Sequence, residues 1–475
     1  MVTEKNLETA AYGETIITEG RKFPQFLAAF FATIAALVVG ISLAWTSPTF
    51  PIYKRENLLT TEQRGWISSL LSIGALFGAL TAGMIVDRFG RKLSLLLLGF
   101  PTLAAWALLS FSTSVDALYA ARAIIGYCSG ATSVAVNLYT SEIAENSVRG
   151  KLGTFYQLQI TVGILYTYIA GIADNVQIIS IICGVTPIVF MVCFVWMPES
   201  PAYLVSKGRD EEARRVLRWL RGPDYQHEVE LSLMKHSMEQ QKKNQAGFMD
   251  VISDKVILKA FVLSLGMMVF QQLSGVNAVI FYSGQIFESA GSSLSSQAAS
   301  IVIGVVQVLA TYCSTLLVER TGRRFLLLLS DSVMAICLIV LGGYFHYKEQ
   351  NVDLSTWGWV PLVSLSLFIV VFSLGFGPIP WIIMGEIVPS NLKGISSSLG
   401  AGTSWILAFV VTKYFENLEL AFGSAGTFWL FAGICVVGTL FVYTLLPETK
   451  GKDIETILDE LGGKKPELQL YDTKN

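Results

Sequence analysis

Charge is the scarcest thing in this sequence. Only 15% of its 475 residues are Asp, Glu, Lys or Arg, where soluble domains carry about 25%. Set beside 52% hydrophobic residues, that shortage excludes a water-soluble enzyme and points to a polytopic membrane protein. Histidine occurs three times. The six cysteines, Cys128, Cys183, Cys193, Cys313, Cys337 and Cys435, all fall in apolar segments. They offer no disulfide framework and no metal-ligand spacing. There is no Asn-x-Ser/Thr sequon, no nucleotide loop and no triad, so neither an enzyme nor a cofactor or metal site is expected. A net charge of −2 gives no reason to expect nucleic acid. The first 22 residues are polar, and no short apolar run with a cleavage site precedes the first long apolar segment. No removable signal peptide is therefore expected.

Long apolar runs are abundant. A spanning helix needs about 20 such residues. Twelve segments qualify, at 23–47, 65–86, 93–113, 117–140, 151–171, 177–197, 256–287, 297–318, 324–345, 358–384, 395–415 and 425–446. They are called spans 1 to 12. The expected fold is an all-α membrane protein, with twelve transmembrane helices in two six-helix bundles and a short cytoplasmic helical segment between them. The divisions are a cytoplasmic N-terminal tail (1–22), an N-terminal bundle (23–197), a linker (198–255), a C-terminal bundle (256–446) and a cytoplasmic C-terminal tail (447–475). With both termini cytoplasmic, 28 of the 34 basic residues fall on cytoplasmic segments and helix ends, as the positive-inside rule requires. In the linker, Ala213, Val216, Leu217 and Leu220 alternate with Glu211, Glu212, Arg214, Arg215, Arg218 and Arg221. This predicts amphipathic helices under the cytoplasmic face; a basic membrane-surface helix is the alternative.

The two halves repeat. Asp87-Arg88-Phe89-Gly90-Arg91-Lys92 follows span 2, and Glu319-Arg320-Thr321-Gly322-Arg323-Arg324 follows span 8. Glu142 with Arg149-Gly150 follows span 4, and Glu386 with Lys393-Gly394 follows span 10. Pro198-Glu199-Ser200 ends span 6, and Pro447-Glu448-Thr449 ends span 12. Three matched pairs in one order mean two homologous halves, the build of two-bundle secondary transporters. The repeated charges are expected to pair when the cytoplasmic side is closed and to part when it opens. Individually such pairs are weak, but a network can bias a two-state equilibrium; fixing topology is the plainer role.

The sharpest anomaly lies in span 7, where Gln271, Gln272 and Asn277 flank Gly275 inside an apolar run. An amide in hydrocarbon without a partner costs about 4–8 kcal/mol on a cyclohexane scale. Either neighbouring helices satisfy these amides as interhelical glue, or water and a polar ligand do. A loosened helix carrying neutral donors and acceptors suits a hydroxyl-rich solute. Span 10 carries Gly375-Phe376-Gly377-Pro378-Ile379-Pro380-Trp381, where two glycines and two prolines break the helix. Trp381 then offers a flat face near the break. Gly74, Gly78 and Gly83 in span 2 and Gly126 and Gly130 in span 4 are read as close helix packing.

Together with Ser200-Pro201-Ala202-Tyr203-Leu204 after span 6 and Lys450-Gly451 after span 12, these motifs closely resemble the sugar porters of the major facilitator superfamily. The run Ser373 to Trp381 looks most like the insect facilitated trehalose transporters and the related intracellular-type glucose carriers. The resemblance implies that Gln157, Gln271, Gln272, Asn277, Gln307 and Trp381 line a sugar site, that span 7 beyond Gly275 is the outer gate, and that Arg122 sits near the outer end of span 4. Departures from the glucose-carrier pattern stand at Ser373, at Ser404 and Ala408 around Trp405, at Gln307 and at Ala202. They imply a site enlarged beside spans 10 and 11, better suited to a disaccharide. A gating network of Asp87, Arg88, Arg91, Glu142, Arg149, Glu199, Glu319, Arg320, Arg323, Glu386, Lys393 and Glu448 is expected.

Proton coupling needs an ionisable group deep in the membrane. Span 1 has Ser42 where proton-driven members of the resembled family carry an aspartate. Asp331, about 10 Å along the helix from Arg324 at 1.5 Å per residue, is read as a structural partner of the charge cluster. The expectation is therefore uniport of trehalose by a monomer in the plasma membrane. The alternatives are a glucose or hexose carrier, a proton symporter, an internal membrane and a non-transporting sugar sensor. The short tail after Pro447 argues against the sensor. Glu56-Asn57-Leu58-Leu59 resembles a sorting signal but falls in an outer loop.

Overall fold

Every one of the twelve apolar segments is helical, and three are broken where the sequence places glycine, proline or a polar pair. The computed structural model describes residues 20–243, 254–291, 294–452 and 454–462. Span 1 is α1 (Phe23–Ala44) and α2 (Thr46–Arg55), parted at Trp45. Spans 2 to 6 are α3 (Thr61–Phe89), α4 (Arg91–Phe111), α5 (Val115–Ile143), α6 (Asn146–Ala170) and α7 (Val176–Phe194). The linker holds α8 (Pro201–Ser206), α9 (Asp210–Arg221) and α10 (His227–Lys243). Span 7 is α11 (Lys255–Leu273) and α12 (Val276–Ala290), broken at Gly275 with φ +90°. Spans 8 and 9 are α13 (Ser296–Thr321) and α14 (Arg323–Glu349), and span 10 is α15 (Val360–Leu374) and α16 (Ile379–Ile387). Spans 11 and 12 form one helical run, α17 (Lys393–Leu445), folded back at Gly423, whose φ is +71°. A short α18 (Ile454–Leu461) follows.

Local chemistry sets the ends. Thr60 and Gln63 form a reciprocal capping box at the start of span 2, which satisfies two otherwise orphaned N–H groups. That cap starts the helix four residues before the apolar run, so Arg64 lies on the helix and not in a loop. Asn175, Asp254 and Ser295 cap spans 6, 7 and 8. The matched motifs each turn at a glycine of positive φ, Gly90 and Gly322, where a side chain would be strained.

Among the described residues, nine helical stretches are long and apolar enough to cross a membrane, the last of them containing both span 11 and span 12. Spans 4 and 5 lie in helices of 29 and 25 residues, which have the length but carry more polar residues. Arg122 of span 4 is fully buried. Helices meet backbone to backbone where the glycines lie: a Cβ at Gly78 would stand 1.9 Å from the Tyr127 carbonyl, and one at Gly130 2.0 Å from that of Ala75. Gly83 is the exception. It meets nothing within 4 Å, so the close-packing role expected for it is not seen.

The linker helices bury Ala213, Leu217, Leu220 and Leu231, as an amphipathic segment must. Arg221 anchors them. It donates to the Ile143 carbonyl at the end of span 4, at 2.8 Å, and pairs with Glu230 at 2.8 Å. The side of the molecule carrying this linker is called the linker face, and the opposite side the far face.

Candidate functional site

The amides of span 7 satisfy one another and the broken helix beside them. Pro378 and Pro380 carry no N–H, so the turn joining α15 to α16 leaves carbonyls without helical partners. Gln271 Nε2 takes two of them, donating to Phe376 O at 2.6 Å and Gly377 O at 2.7 Å. Gln272 Nε2 donates to Gln271 Oε1 at 3.2 Å and to Ser404 Oγ of span 11 at 2.6 Å. Asn277 Nδ2 donates to Gln272 Oε1 at 2.5 Å. The result is one chain of neutral dipoles across spans 7, 10 and 11. It passes through the αL turn at Gly275, where a Cβ would press on the Phe431 ring at 3.0 Å. Ser330 of span 9 braces the same break, donating to Val371 O at 2.7 Å and accepting from the Phe376 N–H at 3.2 Å.

Among the described residues, the remaining expected residues make no hydrogen bond to this chain. Gln157 of span 5 is exposed. Trp381 is 41% exposed, on the first turns of α16. Trp405 is half-buried. Ser373 is buried in the last turn of α15, and Ala408 is buried one turn from Ser404. Gln307 is buried, and its Oε1 has no hydrogen-bond partner. It stands three residues from Gly304, which packs on Leu165 and Tyr168 of span 5. A carbonyl oxygen buried without a donor is costly, so Gln307 has unused capacity at the junction of the two bundles.

The bundles are joined on the far face. Thr46 Oγ1 donates to Phe281 O at 2.8 Å, and Ser47 and Ser283 share a 2.6 Å bond. Tyr168 Oη donates to Ile280 O at 3.1 Å. Arg64 pairs with Glu416, and Ser68 and Tyr282 both bond the Thr412 carbonyl. At the linker ends the glycines of spans 5, 10 and 11 (Gly150, Gly153, Gly385 and Gly394) would meet nothing within 4 Å on gaining a Cβ. Among the described residues, the hydrogen bonds between the bundles all lie on the far half of the seam.

The linker-face charges pair within each bundle. Arg91 grips Glu142 through Nε at 2.9 Å and an Nη at 2.8 Å, and Ser200 also bonds Glu142. Arg323 holds Glu386 Oε1 through Nε at 3.2 Å and an Nη at 3.0 Å, while Thr449 Oγ1 donates to Oε2 at 2.6 Å. Glu199 accepts from the N–H groups of Arg91 and Lys92, and Glu448 from those of Arg323 and Arg324. Burial raises the Glu142 carboxyl above its ordinary value against the pull of Arg91. At Glu448 burial also pushes upward, but the amides of Lys450, Arg323, Arg324 and Thr449 outweigh it and hold the carboxyl low. Asp87 adds a looser contact to Arg91 at 3.4 Å. Arg88 lies over the Phe89 ring, and Arg149 is exposed. Lys393 starts α17. The side chains of Glu319 and Arg320 lie outside the described residues.

The expectation for Asp331 needs revision. Asp331 is buried and does not join the charge cluster; it sits in the notch at Gly438 of span 12, facing Cys435 and Thr439. Arg64, just ahead of the apolar run of span 2, is buried in the seam. Its partner Glu416, together with Ser68, Tyr282 and Ser330, escaped the sequence reading. Only the polarity of Glu416 at the end of an apolar run could have hinted at it.

The chain matches the sugar (and other) transporter family across residues 23–461. The chain belongs to that family. Among its relatives, the facilitated trehalose transporter Tret1 of Culex quinquefasciatus is 38% identical over 93% of this chain and 86% of its own length. The Bombyx mori protein of the same name is 38% identical over 91% and 86%. The Tret1-2 homolog of Drosophila simulans is 36% identical over 94% and 92%. The fold is that of the xylose transporter XylE from E. coli: its inward-open structure superposes with a TM-score of 0.77 at 23% identity, covering 92% of this chain and 99% of XylE. This sugar transporter is a helical membrane protein of the major facilitator fold and not an enzyme.

Proposed function

We propose that this transporter carries trehalose down its gradient by alternating access, as a monomer in the plasma membrane with both termini cytoplasmic. Residues 23–197 and 256–446 are the two moving bodies. The observation that carries the reading is the amide chain Gln271–Gln272–Asn277, anchored on Ser404; the exposed Gln157 and Trp381 are read as its border. Each sugar hydroxyl both donates and accepts, so neutral amides match it without a charge that would trap it. Gln307 and Trp405 complete the lining. The names of relatives 36–38% identical over more than nine-tenths of the chain support trehalose as the sugar and facilitated diffusion as the mode. Ser373, Ser404 and Ala408 leave room beside spans 10 and 11 for a second ring. In the observed state the far face is closed, and release is toward the linker face. The linker-face charges Asp87, Arg88, Arg91, Glu142, Arg149, Glu199, Glu319, Arg320, Arg323, Glu386, Lys393 and Glu448 then engage across the bundles in the opposite state.

Counterflow in proteoliposomes tests this. Vesicles preloaded with unlabelled trehalose, at equal inner and outer pH, are expected to overshoot with labelled trehalose, insensitive to a protonophore. Net efflux into sugar-free buffer then establishes uniport. Overshoot with glucose alone overturns the disaccharide reading, and collapse by the protonophore overturns uniport.

A further inference from the structure

The far-face seam contains one ion pair between the bundles that the motifs do not foreshadow. Arg64 of span 2 meets Glu416 of span 11 in a two-pronged pair, Nε to Oε1 at 2.9 Å and an Nη to Oε2 at 2.7 Å. Both side chains are nearly inaccessible, at 8% and 5%. Arg64 is also held by its own bundle, donating to Leu59 O at 2.9 Å and Thr61 Oγ1 at 3.3 Å. Its fork therefore stays aimed whether or not Glu416 is present. One turn along both helices the contact repeats: Ser68 Oγ donates to Thr412 O at 3.0 Å, and Tyr282 of span 7 bonds both Ser68 and Thr412 O. Gly65 lets the helices close to this distance, since a Cβ there would lie 2.9 Å from Lys413 O.

We infer that Arg64 and Glu416 are a latch: their pairing holds the far face shut, and its rupture is a required step of the transport cycle. The inference rests on the alternating-access reading above. The physics suits a reversible lock. A buried pair gives back in desolvation much of what it gains in attraction. Opening this seam admits water to both groups, so neither is left buried and alone. The two states then lie close in free energy, as a carrier that must visit both requires. Losing one partner is different. The closed state then buries a single unpaired charge or a mismatched amide, and the equilibrium tips toward the open far face.

The test reads gate opening directly. In a background with the native cysteines replaced, Ser283→Cys places a thiol at the buried Ser47–Ser283 contact of the seam. Its modification by a membrane-impermeant maleimide, added from the far face, is timed in proteoliposomes without sugar. Against this background, Glu416→Gln and Arg64→Gln are each expected to speed labelling roughly tenfold by shifting the two-state population. The double variant is expected to label no faster than the faster single, because the pair acts as a unit. Equal labelling in all four proteins, or a double variant as fast as the product of the singles, overturns the latch. Should Arg64→Gln fail to fold, Thr61→Val, which removes one support of the guanidinium, is expected to speed labelling severalfold in its place, and no change there overturns the inference. Absence of trehalose counterflow with the labelling pattern intact would sink the trehalose reading and leave the latch standing.

Discussion

The two halves of this transporter end alike and differ in the middle. On the linker face, Arg91–Glu142 with Ser200 and Arg323–Glu386 with Thr449 are the same construction built twice, each beside a carboxylate, Glu199 or Glu448, that takes the two backbone N–H groups following the motif glycine. At mid-depth the likeness stops. Span 4 runs unbroken, and its Arg122 is spent on carbonyls of its own bundle, Ile67 O and Ser42 O. Span 10, its counterpart, is broken and serviced by Gln271. Repetition has kept the helix-end chemistry that any moving bundle needs. Both halves have a broken helix, span 1 at Trp45 and span 7 at Gly275, but of spans 4 and 10 only span 10 is broken, and the amide chain lies in the C-terminal half.

The largest effect should come from deleting the amide that services the break. Gln271→Ala leaves the Phe376 and Gly377 carbonyls without a donor, each orphaned group costing about 1–3 kcal/mol. Initial rates of trehalose uptake should fall by roughly two orders of magnitude, while Gln157→Ala in the other half costs only severalfold. Equal losses would break the asymmetry. Next come the paired linker-face acids. Glu142→Ala strands Arg91, whose side chain is 11% exposed and grips both carboxylate oxygens; it should cost about 2–4 kcal/mol. Glu386→Ala, at a wetter and one-oxygen site, should cost about half that on the same reasoning. Melting curves of the purified variants decide the order. Ala408→Asn should lower trehalose flux more than glucose flux, because it fills the space beside Ser404; equal losses remove the enlarged-site argument.

The smallest effect concerns pH. Glu448 is held below the ordinary carboxylate value, so its ionised form stabilises the fold at neutral pH. That contribution disappears as pH falls through the depressed folded value. Glu448→Gln should therefore flatten the acid branch of a melting-temperature profile and change little in shape above neutrality. An unchanged acid branch would mean that the carboxylate cap contributes no pH-dependent stability.

Much was legible in the residues before any coordinates. Apolar runs of spanning length announce helices, because lipid leaves the backbone no other partner. The Gln271–Asn277 cluster and the Gly375–Pro380 run announced a polar, broken centre, since amides and prolines there are too costly to be idle. Partners were not legible. Nothing in the order of residues says that Gln271 serves Phe376 and Gly377, 105 and 106 positions away. Nor does it say that Arg64 closes on Glu416 across 352 positions, or that Asp331 faces Cys435 and not the arginines of its own motif. By itself the sequence determined the helices, the repeat and the places where a helix must yield, for these follow from local transfer energies and backbone chemistry. Only the tertiary structure decided which polar groups satisfy one another and which face of the seam is shut. Those outcomes depend on how two rigid bundles meet, and a hydrogen bond or ion pair is worth something only at the distance that meeting allows.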